Sequence, residues 1–162
     1  MSALDVTANP IEEIHAESYT TATAAAVIPA PINGAGLCHS RGALSFNDRP
    51  LNTVQGGEVA GITFDGTDAL AGTASDTDAF TMVTDVGRPY KLVQVASTVT
   101  LATIGARLMS DTDGTAMAYA AGAAGAPTFS IGFAASTTTG ATGIQTILVE
   151  LAFSEGNPEG HA

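Results

Sequence analysis

Tryptophan is absent from this chain, and cysteine and lysine each occur once. One thiol, Cys38, cannot close an intrachain disulfide, so a disulfide-stapled scaffold is excluded. Lys and Arg total 5 against 16 Asp and Glu, a net charge of −11. Such a surface repels phosphate, which argues against a nucleic-acid partner held through a basic patch. The single lysine, Lys91, follows Pro89-Tyr90 rather than a glycine-rich loop, so no phosphate-cradling motif is present. No apolar run approaches the roughly 20 residues a bilayer span requires, so no membrane partner is expected. The first basic residue is Arg41, and the basic start of a signal peptide is therefore not expected. Gly-Thr and Thr-Ala pairs recur at no fixed period, which argues against a solenoid.

What the chain does have is small and uncharged. Its 162 residues include 30 alanines, 22 threonines and 18 glycines, with 45% hydrophobic but only 13% charged residues. The length suits one domain, and the hydrophobic content is too high for compositional disorder. Threonine, serine and glycine at surface positions can be covered by another protein with little loss of ion hydration. Two readings of this composition stand side by side: a surface built for oligomerisation or lattice contact, and the drift of an alanine-rich genome.

The N-terminal residues 1–35 read as an arm, partly extended and with a short helix start. Asn9 suits the cap, Pro10 the first helical position, and Glu12 and Glu13 the positive end of the helix dipole. Ile11 and Ile14 would share one face. Ser18 to Thr23 has β propensity, Pro29-Ala30-Pro31 stiffens the chain, and Asn33-Gly34 marks a turn. Such an arm is either partly disordered or orders on a neighbour, and Ile11, Ile14 and Tyr19 are its candidate contact residues.

Residues 36–153 read as a β domain, with 154–162 as a polar tail. Val59, Ile62 and Phe64 form a first strand, and Phe80 to Thr84 a second. The strongest signal is Tyr90 to Ile104, long enough for two strands or one bent strand, with Val93, Val95, Val99 and Leu101 on one face and Gln94, Ala96, Thr98 and Thr100 on the other. Arg107-Leu108-Met109 enters a hairpin turn at Ser110 to Gly114, and Thr115 to Tyr119 returns. Phe129, Ile131 and Phe133 alternate with Ser130, Gly132 and Ala134. In the last strand Ile147, Val149, Leu151 and Phe153 point one way and Glu150 the other. Short strands between turns predict an all-β fold, a small β-barrel or β-sandwich with an extended N-terminal arm.

Chemistry is sparse. His15, His39 and His161 are dispersed, so no paired-histidine metal site is expected. Cys38-His39-Ser40 places nucleophile and base on adjacent residues, whose side chains point to opposite sides of extended backbone; Cys38 reads as a small turn-region residue beside an exposed His39. Asp65-Gly66-Thr67-Asp68, Asp76-Thr77-Asp78 and Asp111-Thr112-Asp113-Gly114 have carboxylates at hard-cation spacing, yet Gly114 falls two positions early for an EF-hand loop and no Glu follows at the required place. They read as turn formers, with a Ca²⁺ site between turns as the alternative. Paired carboxylates for sugar hydrolysis lack the aromatic platform that sugar rings stack on. No catalytic residue, cofactor or metal is assigned, and an enzyme is not expected.

The stretch from Gly105 through the Asp-Thr-Asp-Gly114 turn to Ala118, then Ile131-Gly132-Phe133-Ala134, then Ile144 to Leu151, resembles the small β-barrel of bacteriophage capsid decoration (cement) proteins. The resemblance covers about the last 60 residues. It implies a virion structural protein on the outer capsid surface, a homotrimer whose partner is the major capsid protein and whose action is to hold capsomer joints together. It carries over no binding residue one by one. An acidic protein is better placed outside a shell than against packaged DNA. The alternative is an extracellular β-sandwich binding module, a phage-fibre or cell-surface domain dependent on sugar or Ca²⁺.

Overall fold

A computed structural model describes residues 17–19, 34–42, 49–63, 80–122, 127–138 and 145–156. Among the described residues every regular element is a strand. Four of them, β1 (Glu17–Tyr19), β2 (Cys38–His39), β3 (Gly61–Thr63) and β4 (Phe80–Val83), pair antiparallel in the order β1-β4-β3-β2. The other five, β5 (Tyr90–Val95), β6 (Arg107–Ser110), β7 (Ala116–Ala118), β8 (Thr128–Ala134) and β9 (Gln145–Gly156), close into a barrel in the order β5-β7-β6-β8-β9. All barrel pairs are antiparallel except β5 with β7, which meet in parallel at Val95 and Ala116. The described part of the chain is all-β, as its turn-punctuated pattern predicts. Closure removes the open edges that would otherwise template aggregation.

Alternation explains the barrel wall. Val93 and Val95 on β5, Leu108 on β6, Ala116 on β7, and Ile147, Val149 and Leu151 on β9 are all buried together. Each large aliphatic side chain so buried contributes roughly 1.5–3 kcal/mol. Strand β8 breaks its own alternation. A register shift between Ser130 and Gly132 leaves Ile131 and Ala134 in the core while Phe129 and Phe133 lie half-buried outside it. The sequence pattern puts the three aromatic and aliphatic residues on one face; the bulge, which adds one residue to one strand, separates them. Gly132 makes the bulge, with a φ of 142° and its Cα against the Glu150 carbonyl, where a side chain would collide.

The long Tyr90–Ile104 run is one strand followed by a turn. Strand β5 ends at Val95, Val99 N–H donates to the Ala96 carbonyl at 2.9 Å, and Leu101 still reaches the core. The β6–β7 hairpin forms where Asp and Gly signal it. Asp111 accepts from Thr112 N–H at 2.8 Å and Asp113 from Thr115 N–H at 3.0 Å, so both carboxylates act as local turn braces. The acidic stretches 65–68 and 76–78, and the helix start at 9–14 with Ile11 and Ile14, lie outside the described residues.

Residues 34–39 form the seam between sheet and barrel. Gly36 N–H donates to the Leu92 carbonyl at 3.0 Å, and Gln94 N–H to the Gly36 carbonyl at 2.9 Å. On the other side, Thr63 N–H donates to the Leu37 carbonyl at 2.9 Å. Cys38, Val59, Ile62 and Val83 join the barrel residues in one core. Gln94, on the opposite alternation from Val93 and Val95, is buried as well, because the seam covers it and the Ala35 carbonyl accepts from its Nε2 at 3.0 Å. One expectation is corrected here: Cys38 and His39 lie on a strand rather than in a turn, and His39 is fully buried rather than exposed.

Candidate functional site

The two places where polar chemistry concentrates have opposite characters: one sealed, one open. The sealed one surrounds the seam. Asn52, 1% exposed, donates from Nδ2 to the Val54 carbonyl at 2.7 Å and to Ser110 Oγ at 2.8 Å, and its Oδ1 accepts from Ser40 Oγ at 2.7 Å. This network ties the loop before β3 to the β6–β7 hairpin. Cys38 and His39 project to opposite sides of β2, as extended backbone requires. Burial pushes the Cys38 thiol up to about 12; a hydrogen bond with Ser110 opposes that, and the Asp113 charge adds to it. Burial pushes the His39 imidazole down to about 4 against the opposing pull of its bond to the Arg49 carbonyl. Thiol and imidazole are therefore both held neutral, the reverse of an activated thiolate and its imidazolium. Native Cys38 is expected to react with Ellman's reagent at pH 8 at least about a hundredfold more slowly than in denaturant; equal rates would refute its sealed placement.

The open place is the barrel's outer wall. Tyr90 on β5 pairs with Glu150 on β9, Glu150 pairs with Phe133 on β8, and Phe133 pairs with Arg107 on β6. Tyr119, just past β7, follows across from Arg107, donating its N–H to the Arg107 carbonyl at 2.9 Å. Residues directly opposite one another share a face, so Tyr90, Glu150, Phe133, Arg107 and Tyr119 form one row across all five strands. Because the barrel is closed, the row curves around its outer wall.

Arg88 extends this row from the β4–β5 turn. Its Nε lies 2.9 Å from Glu150 Oε1, and its guanidinium carbon 5.9 Å from the Phe133 ring centre. The turn is fixed against β9: Phe153 N–H donates to Asp85 Oδ2 at 2.8 Å and Leu151 N–H to the Pro89 carbonyl at 2.8 Å. Arg107 stacks over the Tyr119 ring at 4.4 Å and donates to Ser154 Oγ at 3.1 Å. Beside Ser154 lies a shallow cleft lined by Glu58, Val59, Phe129, Ser130 and Phe153. Arg49 and Lys91 are buried, and Lys91 Nζ donates to the Gly34 carbonyl at 2.7 Å. That leaves Arg41, Arg88 and Arg107 as the cations that reach solvent, and two of these three stand on the row. A guanidinium stacked on a ring is a frequent element of protein interfaces.

Of the contact residues expected from the sequence, Tyr19 lies on β1, paired with Phe80 on β4; Ile11 and Ile14 fall outside the described residues. The row itself was not foreseen. Its one sequence signal is that Arg88, a scarce cation in an acidic chain, stands two residues before the aromatic Tyr90 that opens β5, while Arg107, another, opens β6.

Compared with known proteins, the chain matches no protein-family model and no curated protein.

Proposed function

We propose that this chain is a capsid decoration protein, a cement subunit that binds the outer surface of a bacteriophage shell as a homotrimer and stabilises contacts between copies of the major capsid protein. The observation that carries the reading is the row of Tyr90, Phe133 and Tyr119 interleaved with Arg88 and Arg107 on the barrel's outer wall. Tyrosine, phenylalanine and arginine are the side chains enriched where proteins grip one another, because they offer large contact area with few rotors to freeze. The low-charge exterior supports the same reading, since covering threonine and alanine removes few ions from water. Its mechanism is mechanical. Each subunit bridges neighbours, and many weak contacts repeated over a lattice add up to firm attachment. The acidic balance of −11 suits the outer face, away from packaged DNA.

The experiment is co-sedimentation with expanded, undecorated capsids, paired with light scattering of the free protein. Stoichiometric pelleting is expected, with a solution or capsid-bound assembly of three times the 16.2 kDa chain mass. Failure to pellet at saturating protein overturns the proposal.

A further inference from the structure

A short strap bridges the barrel where two of its strands part. The ladder between β6 and β8 runs through the pairs Arg107–Phe133 and Leu108–Gly132. Beyond it Gly56 takes over. Its N–H donates to the Ser110 carbonyl of β6 at 2.7 Å, and its carbonyl accepts from Phe129 N–H of β8 at 2.8 Å. Residues 52–57 are tied to the β6–β7 hairpin by two side chains. Asn52 Nδ2 donates to Ser110 Oγ at 2.8 Å, and Gln55 Nε2 donates to Met117 Sδ at 3.1 Å and to Asp111 Oδ1 at 3.3 Å. Two thioethers meet this strap as a cross-strand pair, Met109 on β6 opposite Met117 on β7. Leu108 and Ala116 beside them point into the core, so both methionines stand on the outer wall. Met109 is sealed there, 2% exposed, with its sulfur against Gly56. Met117 is only half-buried, at the strap's margin.

We propose that Met117 is an oxidation site for hydrogen peroxide, and that its conversion to the sulfoxide loosens the strap. The thioether sulfur attacks one peroxide oxygen. The S–O bond forms as the O–O bond breaks, and two electrons pass from sulfur to peroxide. The departing hydroxide takes the proton of the transferred oxygen, so the products are methionine sulfoxide and water. Access selects the residue, since Met82 and Met109 are 0% and 2% exposed and peroxide must touch the sulfur. Gln55 selects the face. The sulfur has two lone pairs, and the Gln55 N–H stands on one of them, so oxygen adds to the other and one sulfoxide epimer predominates. The same contact carries the consequence. A thioether sulfur is a weak acceptor, but in the sulfoxide it becomes the positive end of the S–O dipole and no longer accepts. Gln55 then loses its partner on β7, and a polar oxygen sits on a half-buried side chain that was apolar. With that tie gone, the strap opens more often and uncovers Met109. The site belongs to the free chain and is independent of the cement reading.

The test treats the full chain with hydrogen peroxide and maps the sulfoxides by mass spectrometry of its peptides. Met117 is expected to oxidise at least about tenfold faster than Met82 and Met109, with Met109 following only after Met117. One of the two epimer-specific methionine sulfoxide reductases should consume most of the Met117 sulfoxide. In Q55A the oxidation should be faster and both epimers should form. Amide hydrogen exchange at Gly56 and Phe129, whose N–H groups make the strap's two ladder bonds, should speed up about tenfold in the oxidised protein and recover on reduction. M117L keeps an apolar side chain of similar volume that peroxide does not attack. Its exchange at Gly56 should not respond to peroxide, which separates Met117 from the other methionines. Oxidation of Met82 or Met109 as fast as Met117, equal epimers in the wild type, Gly56 exchange indifferent to the sulfoxide, or a peroxide response retained in M117L would each overturn the proposal.

Discussion

Acidifying the protein from pH 7 to pH 4 is expected to cost it about 3 kcal/mol of stability through one residue, His39. The imidazole is fully buried on β2, and its Nδ1–H donates to the Arg49 carbonyl at 2.8 Å. That bond fixes the tautomer that is neutral with Nδ1 protonated. Burial lowers its pKa in the folded state from 6.5 to about 4. Between those two values the unfolded chain binds a proton that the folded chain refuses. Stability from this group is therefore complete above about pH 6.5, declines as pH falls, and is fully lost below about pH 4. The acidic chain complicates the raw profile, because protonating carboxylates near pH 4 relieves the repulsion of a −11 surface and pushes the other way. The measurement is accordingly a difference. Urea unfolding of wild type and H39Q at pH 7, 5.5 and 4.5 should show a wild-type loss that the glutamine variant, which can still donate to the Arg49 carbonyl, does not share. A proton resonance titration of His39 with a midpoint near 6.5, or parallel pH profiles for the two proteins, would sink this account.

That buried histidine marks the boundary between what the sequence makes legible and what it does not. The β6–β7 hairpin is readable because its causes are local: Asp111, Asp113 and Gly114 brace a turn between two short alternating runs. The same holds for β9, whose Ile147, Val149 and Leu151 need only a period of two. His39 and Gln94 are not readable, because their burial depends on carbonyls far along the chain, at Arg49 and Ala35. A polar residue is expected outside until a distant acceptor is known. The β8 faces are misjudged for a related reason, since a bulge that shifts Phe129 and Phe133 out of the core is written in its pairing with β9 and only hinted at by Gly132. The outer row is hidden further still. Tyr90, Arg107, Tyr119, Phe133 and Glu150 meet only through the register of five strands, and each alone is an unexceptional outward residue.

A large single-residue effect is expected at Gly36, and it tests whether sheet and barrel are one folding unit. Gly36 has no left-handed backbone requirement, so its φ gives no reason for glycine. The reason is contact: a Cβ there would collide with the Thr63 carbonyl oxygen and lie 3.0 Å from Ile62 Cγ2. The obstacle is backbone of β3 rather than the end of a flexible side chain, so it yields only if strands separate. Separation would strain the Gly36 bonds to Leu92 and Gln94 on β5 and the Leu37 bond to Thr63, each contributing about 1 kcal/mol. It would also open the shared core beneath Cys38 and Ile62. G36A should therefore lose about 3 kcal/mol or more, a large share of the 5–15 kcal/mol that holds a typical domain together. Two residues earlier, Gly34 supplies the control. Its φ is 78°, which disfavours alanine, but nothing lies within 4 Å of a Cβ placed there. G34A should cost only about 1–2 kcal/mol, the penalty of the left-handed conformation itself. Chemical unfolding of the two variants separates the causes. If G34A is the more damaging substitution, backbone conformation rather than close approach governs the seam. If G36A instead melts in two steps, the barrel can fold without the sheet and the two are not one cooperative unit.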